Sequence, residues 1–134
     1  MDLLARREHS FRELHNKLTQ RFGDLPLIHS ELERLREERL QSDERFAEAY
    51  LYSRARRLYG PLRIRAELRE RGISDTVIAA SLKASDIDWQ ANLRQLLDTR
   101  FAAGPAIDFK EKAKRLRFLQ YRGFSADEIG EFVL

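Results

Sequence analysis

A seven-residue pattern occurs twice in this chain. Leu68-Arg69-Glu70-Arg71-Gly72-Ile73-Ser74 aligns with Leu119-Gln120-Tyr121-Arg122-Gly123-Phe124-Ser125 at an offset of 51. Downstream, Ile78 and Leu82 align with Ile129 and Val133. Toward the N-terminus, at an offset of 50, Leu18, Arg21, Ile28 and Leu32 match Leu68, Arg71, Ile78 and Leu82. A period near 50 residues therefore runs through the chain, and a period of that size marks a stacked repeat. The first copy is diverged: Phe22-Gly23-Asp24-Leu25-Pro26 stands where the others have a tight glycine turn.

Local signals make each copy helical. Ser10-Phe11-Arg12-Glu13 reads as a capping box, with Ser10 accepting from the Glu13 amide and Glu13 reaching back. The helix it opens should run to about Arg21, burying Phe11, Leu14 and Leu18. Gly60-Pro61 opens a second helix, because proline at the first helical position forfeits no hydrogen bond. That helix carries Leu62, Ile64 and Leu68 and stops at Gly72. Asp108-Phe109-Lys110-Glu111 opens a third, which carries Ala113, Leu116 and Leu119 and stops at Gly123. Gly72 and Gly123 fit left-handed C-terminal caps.

Further helices are expected from Leu27 to Glu38, from Ser42 through Phe46 and Tyr50 to Arg57, and from Ser74 through Ile78 and Leu82. Trp89, Leu93, Leu96 and Leu97 mark another, and the capping box Ser125-Ala126-Asp127-Glu128 opens a last one through Ile129 and Phe132. A short leading helix covers Met1 to about Glu8. The expected architecture is all-α: about three tandem three-helix repeats in one domain, 1–134. The copies divide at about 1–58, 59–107 and 108–134, and the last is incomplete. Each is too small to bury its own apolar face, so stacked neighbours share a core in an elongated, curved array.

Composition narrows the function. Cysteine is absent, so disulfides and cysteine-based zinc sites are excluded, and the chain is compatible with a reducing cytoplasm. No apolar run approaches the ~20 residues that span a bilayer. Glycines are single and sit at helix ends, so no phosphate-cradling loop is present. His9, His15 and His29 form no His-Glu-x-x-His pattern, and His9 with Glu13 on one helix face would make a poor metal site. The paired carboxylates Glu37-Glu38 and Asp43-Glu44 lie beside Arg36, Arg39 and Arg45, which favours solvated ion pairs over acid–base catalysis. No enzyme constellation, metal or cofactor is expected.

The charge pattern is more telling. Net charge is +3, but seven arginines stand against two acids between Arg54 and Arg71, and six basic residues against Glu111 between Lys110 and Arg122. Segregation of this kind points to a positive surface for an anionic partner. Arg63 and Arg71 are both i,i+4 from Glu67, which can hold them locally. Arg65 and Arg69 share a neighbouring stripe without such a partner, and Arg54, Arg56 and Arg57 precede them. Lys110, Lys112, Lys114, Arg115 and Arg117 crowd another helix. These ten residues are the candidate contacts to a protein carboxylate or a DNA phosphate. Phe118 and Phe124 read as core; Tyr59 and Tyr121 read equally as rim or as stacking surfaces.

At these residues the chain resembles the RecX family of bacterial regulatory proteins. Arg57-Leu58-Tyr59-Gly60-Pro61-Leu62-Arg63-Ile64-Arg65-Ala66-Glu67-Leu68-Arg69-Glu70-Arg71-Gly72-Ile73 carries the resemblance, as does Arg117-Phe118-Leu119-Gln120-Tyr121-Arg122-Gly123-Phe124-Ser125. Leu4-Ala5-Arg6-Arg7-Glu8-His9-Ser10 and Ser42-Asp43-Glu44-Arg45-Phe46-Ala47 agree as well. Against the family pattern, the chain starts almost at the first motif and ends before the last repeat is complete. The resemblance implies three tandem three-helix repeats and a cytoplasmic protein that binds the RecA recombinase; a monomer is expected. It implies that the protein blocks extension of the RecA filament on single-stranded DNA, damping strand exchange, ATP hydrolysis and coprotease activity. A sequence-independent DNA-binding module, acting on RecA only indirectly, is the alternative. The basic patches favour it, while the modest net charge and the lack of a helix-turn-helix recognition signature count against it.

Overall fold

In a computed structural model the described residues are 8–23, 26–38, 41–130 and 132. They form helices and turns with no strand. In chain order the helices are α1 (Phe11–Phe22), α2 (Pro26–Glu37), α3 (Asp43–Arg56), α4 (Pro61–Glu70), α5 (Asp75–Ala84), α6 (Trp89–Arg100), α7 (Phe109–Tyr121) and α8 (Ala126–Gly130). The expected leading helix at Met1–Glu8 lies outside the described residues apart from Glu8.

The start signals act as the sequence predicts. Ser10 Oγ accepts from the Glu13 amide at 3.1 Å while Glu13 Oε1 accepts from the Ser10 amide at 3.2 Å. Ser125 and Glu128 make the same reciprocal pair at 3.1 and 2.9 Å. Ser42, Ser74 and Asp108 each accept an amide three residues on, and so does Asp88, a cap not among those expected from the sequence. Each such cap contributes about 1 kcal/mol by satisfying an amide the helix leaves unpaired. His9 precedes α1 rather than lying on it. It is buried, its carbonyl accepts from Gln41 Nε2, and its Nε2 lies 3.1 Å from Lys17 Nζ.

The chain folds as two compact units, Met1–Leu51 with Glu67–Ser85 and Tyr52–Ala66 with Asp86–Leu134. Within the first, Leu14, Ile28, Leu32 and Leu35 form a core that Phe11 and Leu18 flank. Within the second, Leu93, Leu96, Leu97, Leu119, Phe124 and Ile129 form a core edged by Leu58, Trp89, Phe101, Leu116, Phe118 and Phe132. The spacing of Leu93, Leu96 and Leu97 keeps one face of α6 inward. Phe124 is core, and Phe118 packs at its edge.

Both glycine turns close by one hydrogen-bond pattern. After α4, the Gly72 amide donates to the Arg69 carbonyl and Ile73 to Leu68; after α7, Gly123 donates to Gln120 and Phe124 to Leu119. The glycines have φ of 86° and 102°. Left-handed backbone of that kind costs a residue bearing Cβ about 1–2 kcal/mol. The pattern recurs after α3, where Leu58 donates to Ala55 and Tyr59 to Arg54, with Leu58 itself at φ 65°. Packing of the Leu58 side chain on the second core offsets its backbone strain.

Each glycine turn receives the start of an earlier helix. In the first unit, Ser10 Oγ donates to the Arg71 carbonyl at 2.8 Å, and a Cβ on Gly72 would lie 2.8 Å from Arg12 Cβ. In the second, the Gly60 amide donates to the Arg122 carbonyl at 2.7 Å and Leu62 to Gly123 at 3.0 Å. There a Cβ on Gly123 would fall on Arg63 Cβ, 2.8 Å from the Arg63 backbone nitrogen. Arg12 precedes Gly72 by the same number of residues as Arg63 precedes Gly123, so one junction is built twice.

Three alanine substitutions separate dihedral strain from close approach. Gly104 has φ 89° but nothing within 4 Å of a Cβ, so Gly104→Ala should cost about 1 kcal/mol. A Cβ on Gly60 would strike the Gly123 carbonyl and lie 2.7 Å from Phe124 N, so Gly60→Ala should cost about 2 kcal/mol through overpacking. Gly123→Ala combines both faults and should cost about 3 kcal/mol or more. Urea unfolding followed by circular dichroism checks the ranking; equal losses at all three positions would contradict it.

Candidate functional site

Charge divides unevenly between the units. The second holds thirteen Lys and Arg against eight Asp and Glu, a net of +5, and the first holds twelve against fourteen, a net of −2. The candidate site is therefore the second unit's basic surface.

Its centre is Tyr59. Guanidinium carbons of Arg54, Arg122 and Arg63 lie 3.9, 4.1 and 4.5 Å from the Tyr59 ring centroid. Cation–π attraction of about 0.5–1 kcal/mol each at such a half-exposed ring offsets part of their mutual repulsion. Backbone carbonyls supply more: Arg122 Nη2 donates to Arg57 O at 2.6 Å and Arg63 Nη1 to Tyr121 O at 3.3 Å. Arg122 Nε is buried with no hydrogen-bond partner. Tyr59 is thus flanked by three guanidinium groups. Tyr121 differs. It is 70% exposed at the end of α7, with Arg63 4.9 Å from its ring centroid.

The predicted contact residues separate on inspection. Lys110, Lys112, Lys114 and Arg117 are exposed on α7, and Arg56 and Arg57 are exposed at the end of α3. Arg54 and Arg65 are half-buried. Arg69 is exposed but has a partner that its helix did not reveal: Nε meets Asp75 Oδ1 at 2.7 Å, across the glycine turn. Arg65 and Arg69, read as one stripe, fall in different units. Glu67 Oε1 accepts the Tyr50 hydroxyl at 3.0 Å, and Arg71 donates to the Glu67 carbonyl at 3.1 Å. Asp43, read as a solvated acid, instead accepts the Phe11 amide and Gln41 Nε2, both at 2.9 Å.

Arg115 is a correction. It is 5% exposed, not part of an open basic face. Its Nε meets Glu111 Oε1 at 3.3 Å, its Nη1 donates to Gly104 O at 2.9 Å, and its guanidinium lies 5.2 Å from the Phe101 ring centroid. The reason is periodicity: Glu111, Arg115 and Leu119 follow at i,i+4 spacing, and Leu119 is fully buried, so Arg115 is turned inward. Arg122 was the opposite omission. Its place before Gly123, matching Arg71 before Gly72, was the available signal.

Among the described residues, no group of three or more His, Cys, Asp or Glu is placed to hold a metal, and no helix is long and apolar enough to cross a membrane. The distinction between Arg115 and its neighbour is testable. Arg115→Ala removes a buried side chain together with its bonds to the Gly104 carbonyl and the Glu111 carboxylate, and should cost about 2–3 kcal/mol in chemical denaturation. Lys114→Ala should stay within about 0.5 kcal/mol. Equal effects would place Arg115 on the surface after all.

This repeated helical scaffold has known relatives. Residues 42–82 match the second three-helix domain of RecX and residues 86–133 the third. These segments group α3–α5 and α6–α8. The chain is 46% identical over 133 residues to a regulatory protein RecX of Pseudomonas savastanoi pv. phaseolicola, covering 99% of this chain and 86% of the relative. It is 46% identical over 127 residues to that of Halorhodospira halophila, covering 95% and 79%. A crystal structure of a regulatory protein RecX superposes with a TM-score of 0.80 at 23% identity, over 96% of this chain and 65% of the other. One of RecX from Lactobacillus salivarius gives 0.77 at 20% identity, over 97% and 86%. Those two likenesses concern the fold; with the closer sequence relatives and both domain matches, they establish that the chain belongs to the RecX family of regulatory proteins.

Proposed function

We propose that this protein binds the RecA recombinase filament in the cytoplasm and restrains it, with no catalytic activity of its own. It blocks filament extension on single-stranded DNA and thereby damps strand exchange, ATP hydrolysis and coprotease activity, modulating recombination and DNA repair. The observation that carries this reading is membership of a family of regulators along almost the whole chain. The second unit's +5 charge supports it, since a filament of protein and DNA presents carboxylates and phosphates together. Arg54, Arg56, Arg57, Arg65, Arg69, Lys110, Lys112, Lys114 and Arg117 are the proposed contacts; Arg115 is withdrawn because it is buried.

The test is RecA ATPase on single-stranded DNA with a substoichiometric amount of this protein. Turnover should fall, and inhibition should weaken steeply as salt screens the charges. Arg65→Glu with Arg69→Glu should sharply weaken inhibition while leaving the helical spectrum nearly unchanged; the melting temperature should fall only slightly, because the Arg69–Asp75 pair that is lost is exposed and contributes roughly 0–1 kcal/mol, and Arg65 is only half-buried. Unimpaired ATPase at saturating protein, or ATP turnover by the chain alone, would overturn the proposal.

A further inference from the structure

Four residues of α7 lie on one helix face: Lys110, Lys114, Arg117 and Tyr121, at i, i+4, i+7 and i+11. At 1.5 Å per residue the row is about 16 Å long. All four are exposed, and among the described residues none of the three cations pairs with a carboxylate. Adjacent like charges at this spacing cost an isolated helix a few tenths of a kcal/mol per pair, so helix stability does not account for the row. Its end is the 70%-exposed ring of Tyr121, fixed where Arg63 donates to its carbonyl and lies 4.9 Å from its ring centroid. Unlike Tyr59, which three guanidiniums surround, this ring has a single cation beside it.

From this arrangement we infer that the α7 face is a site for single-stranded nucleic acid. Lys110, Lys114 and Arg117 follow the phosphates, and Tyr121 stacks on one base. A row of cations ending in an exposed aromatic matches a strand that alternates charge with flat π surfaces, whereas an acidic protein surface makes no use of the ring. With the cations engaged by phosphates and Tyr121 offering only a π face, which any base can stack on, binding is indifferent to sequence. Unpaired bases are required, because the bases of a duplex are already stacked on one another. This deepens the proposed function and rests on it only in taking the filament's DNA as the physiological strand; the binding assay contains no RecA.

The test is fluorescence anisotropy of the full chain with labelled oligothymidylate, with an abasic strand of equal length, and with a duplex of equal length. Tyr121→Ala should weaken oligothymidylate binding about tenfold, and Tyr121→Phe should retain it, as expected when stacking supplies the affinity. On the abasic strand all three proteins should bind alike, a result that loss of structure could not produce. Three phosphate contacts predict a slope of log affinity against log salt of about −2, reduced in size by about 0.7 in Lys114→Ala. Circular dichroism verifies that each variant is folded; if Tyr121→Ala is not, Tyr121→Leu replaces it. Equal binding of wild type and the Ala variant, or tighter binding of duplex than of single strand, would overturn the inference. Either could occur with RecA inhibition intact, and inhibition could fail with stacking intact, so the two readings fall separately.

Discussion

A close approach of two backbones governs this fold. At Gly60 and Gly123 the start of α4 meets the turn after α7 so tightly that a methyl group on either glycine would overlap its neighbour. The approach is stabilised by amides of Gly60 and Leu62 donating to carbonyls of Arg122 and Gly123, groups that helix ends otherwise leave unpaired. Ser10 and Arg71 build the counterpart in the first unit, where a serine hydroxyl takes the place of the glycine amide. The glycine turn recurs at the two junctions, at Gly72 and Gly123, whereas the first copy, which lacks the tight turn, keeps only helix positions, most of them apolar. Apolar positions tolerate exchange at similar volume, but a glycine packed against backbone does not.

The same junction organises the charge. Arg63 sits beside Gly123 because its helix starts there, and Arg122 follows from the turn itself, so the second unit's contact necessarily places two guanidinium groups together. Tyr59, lifted out of the helix by the left-handed Leu58, gives them a π face, and Arg54 joins from α3. Cations that would otherwise repel are held by ring and carbonyls. On the outer face of α7, Lys110, Lys112, Lys114 and Arg117 stay exposed.

Helix starts were legible because each depends on two or three adjacent residues: the capping boxes at Ser10 and Ser125 and the caps at Ser42, Ser74 and Asp108 are local chemistry. The glycine turns were legible because left-handed backbone selects glycine. Less could be read where a side chain's fate depended on another helix. Arg115 looked like one more member of a basic run, and only the burial of Leu119 shows that it points inward. Asp43 looked solvated until α1 was placed against it. Tyr59 gave no local sign of its three arginines, since two of them come from α4 and from beyond α7. Asp75 lies across a turn from Arg69, outside the i,i+4 spacing by which helix partners are recognised.

Native-state amide hydrogen exchange addresses the junction directly. If the backbone contact organises the second unit, the Gly60 and Leu62 amides, which precede or open α4, should exchange as slowly as the Ile64 and Phe124 amides. All four should accelerate together in Gly123→Ala. Exchange of Gly60 and Leu62 at loop-like rates, with Ile64 and Phe124 still protected, would show that the helices hold together without the contact and would contradict the account.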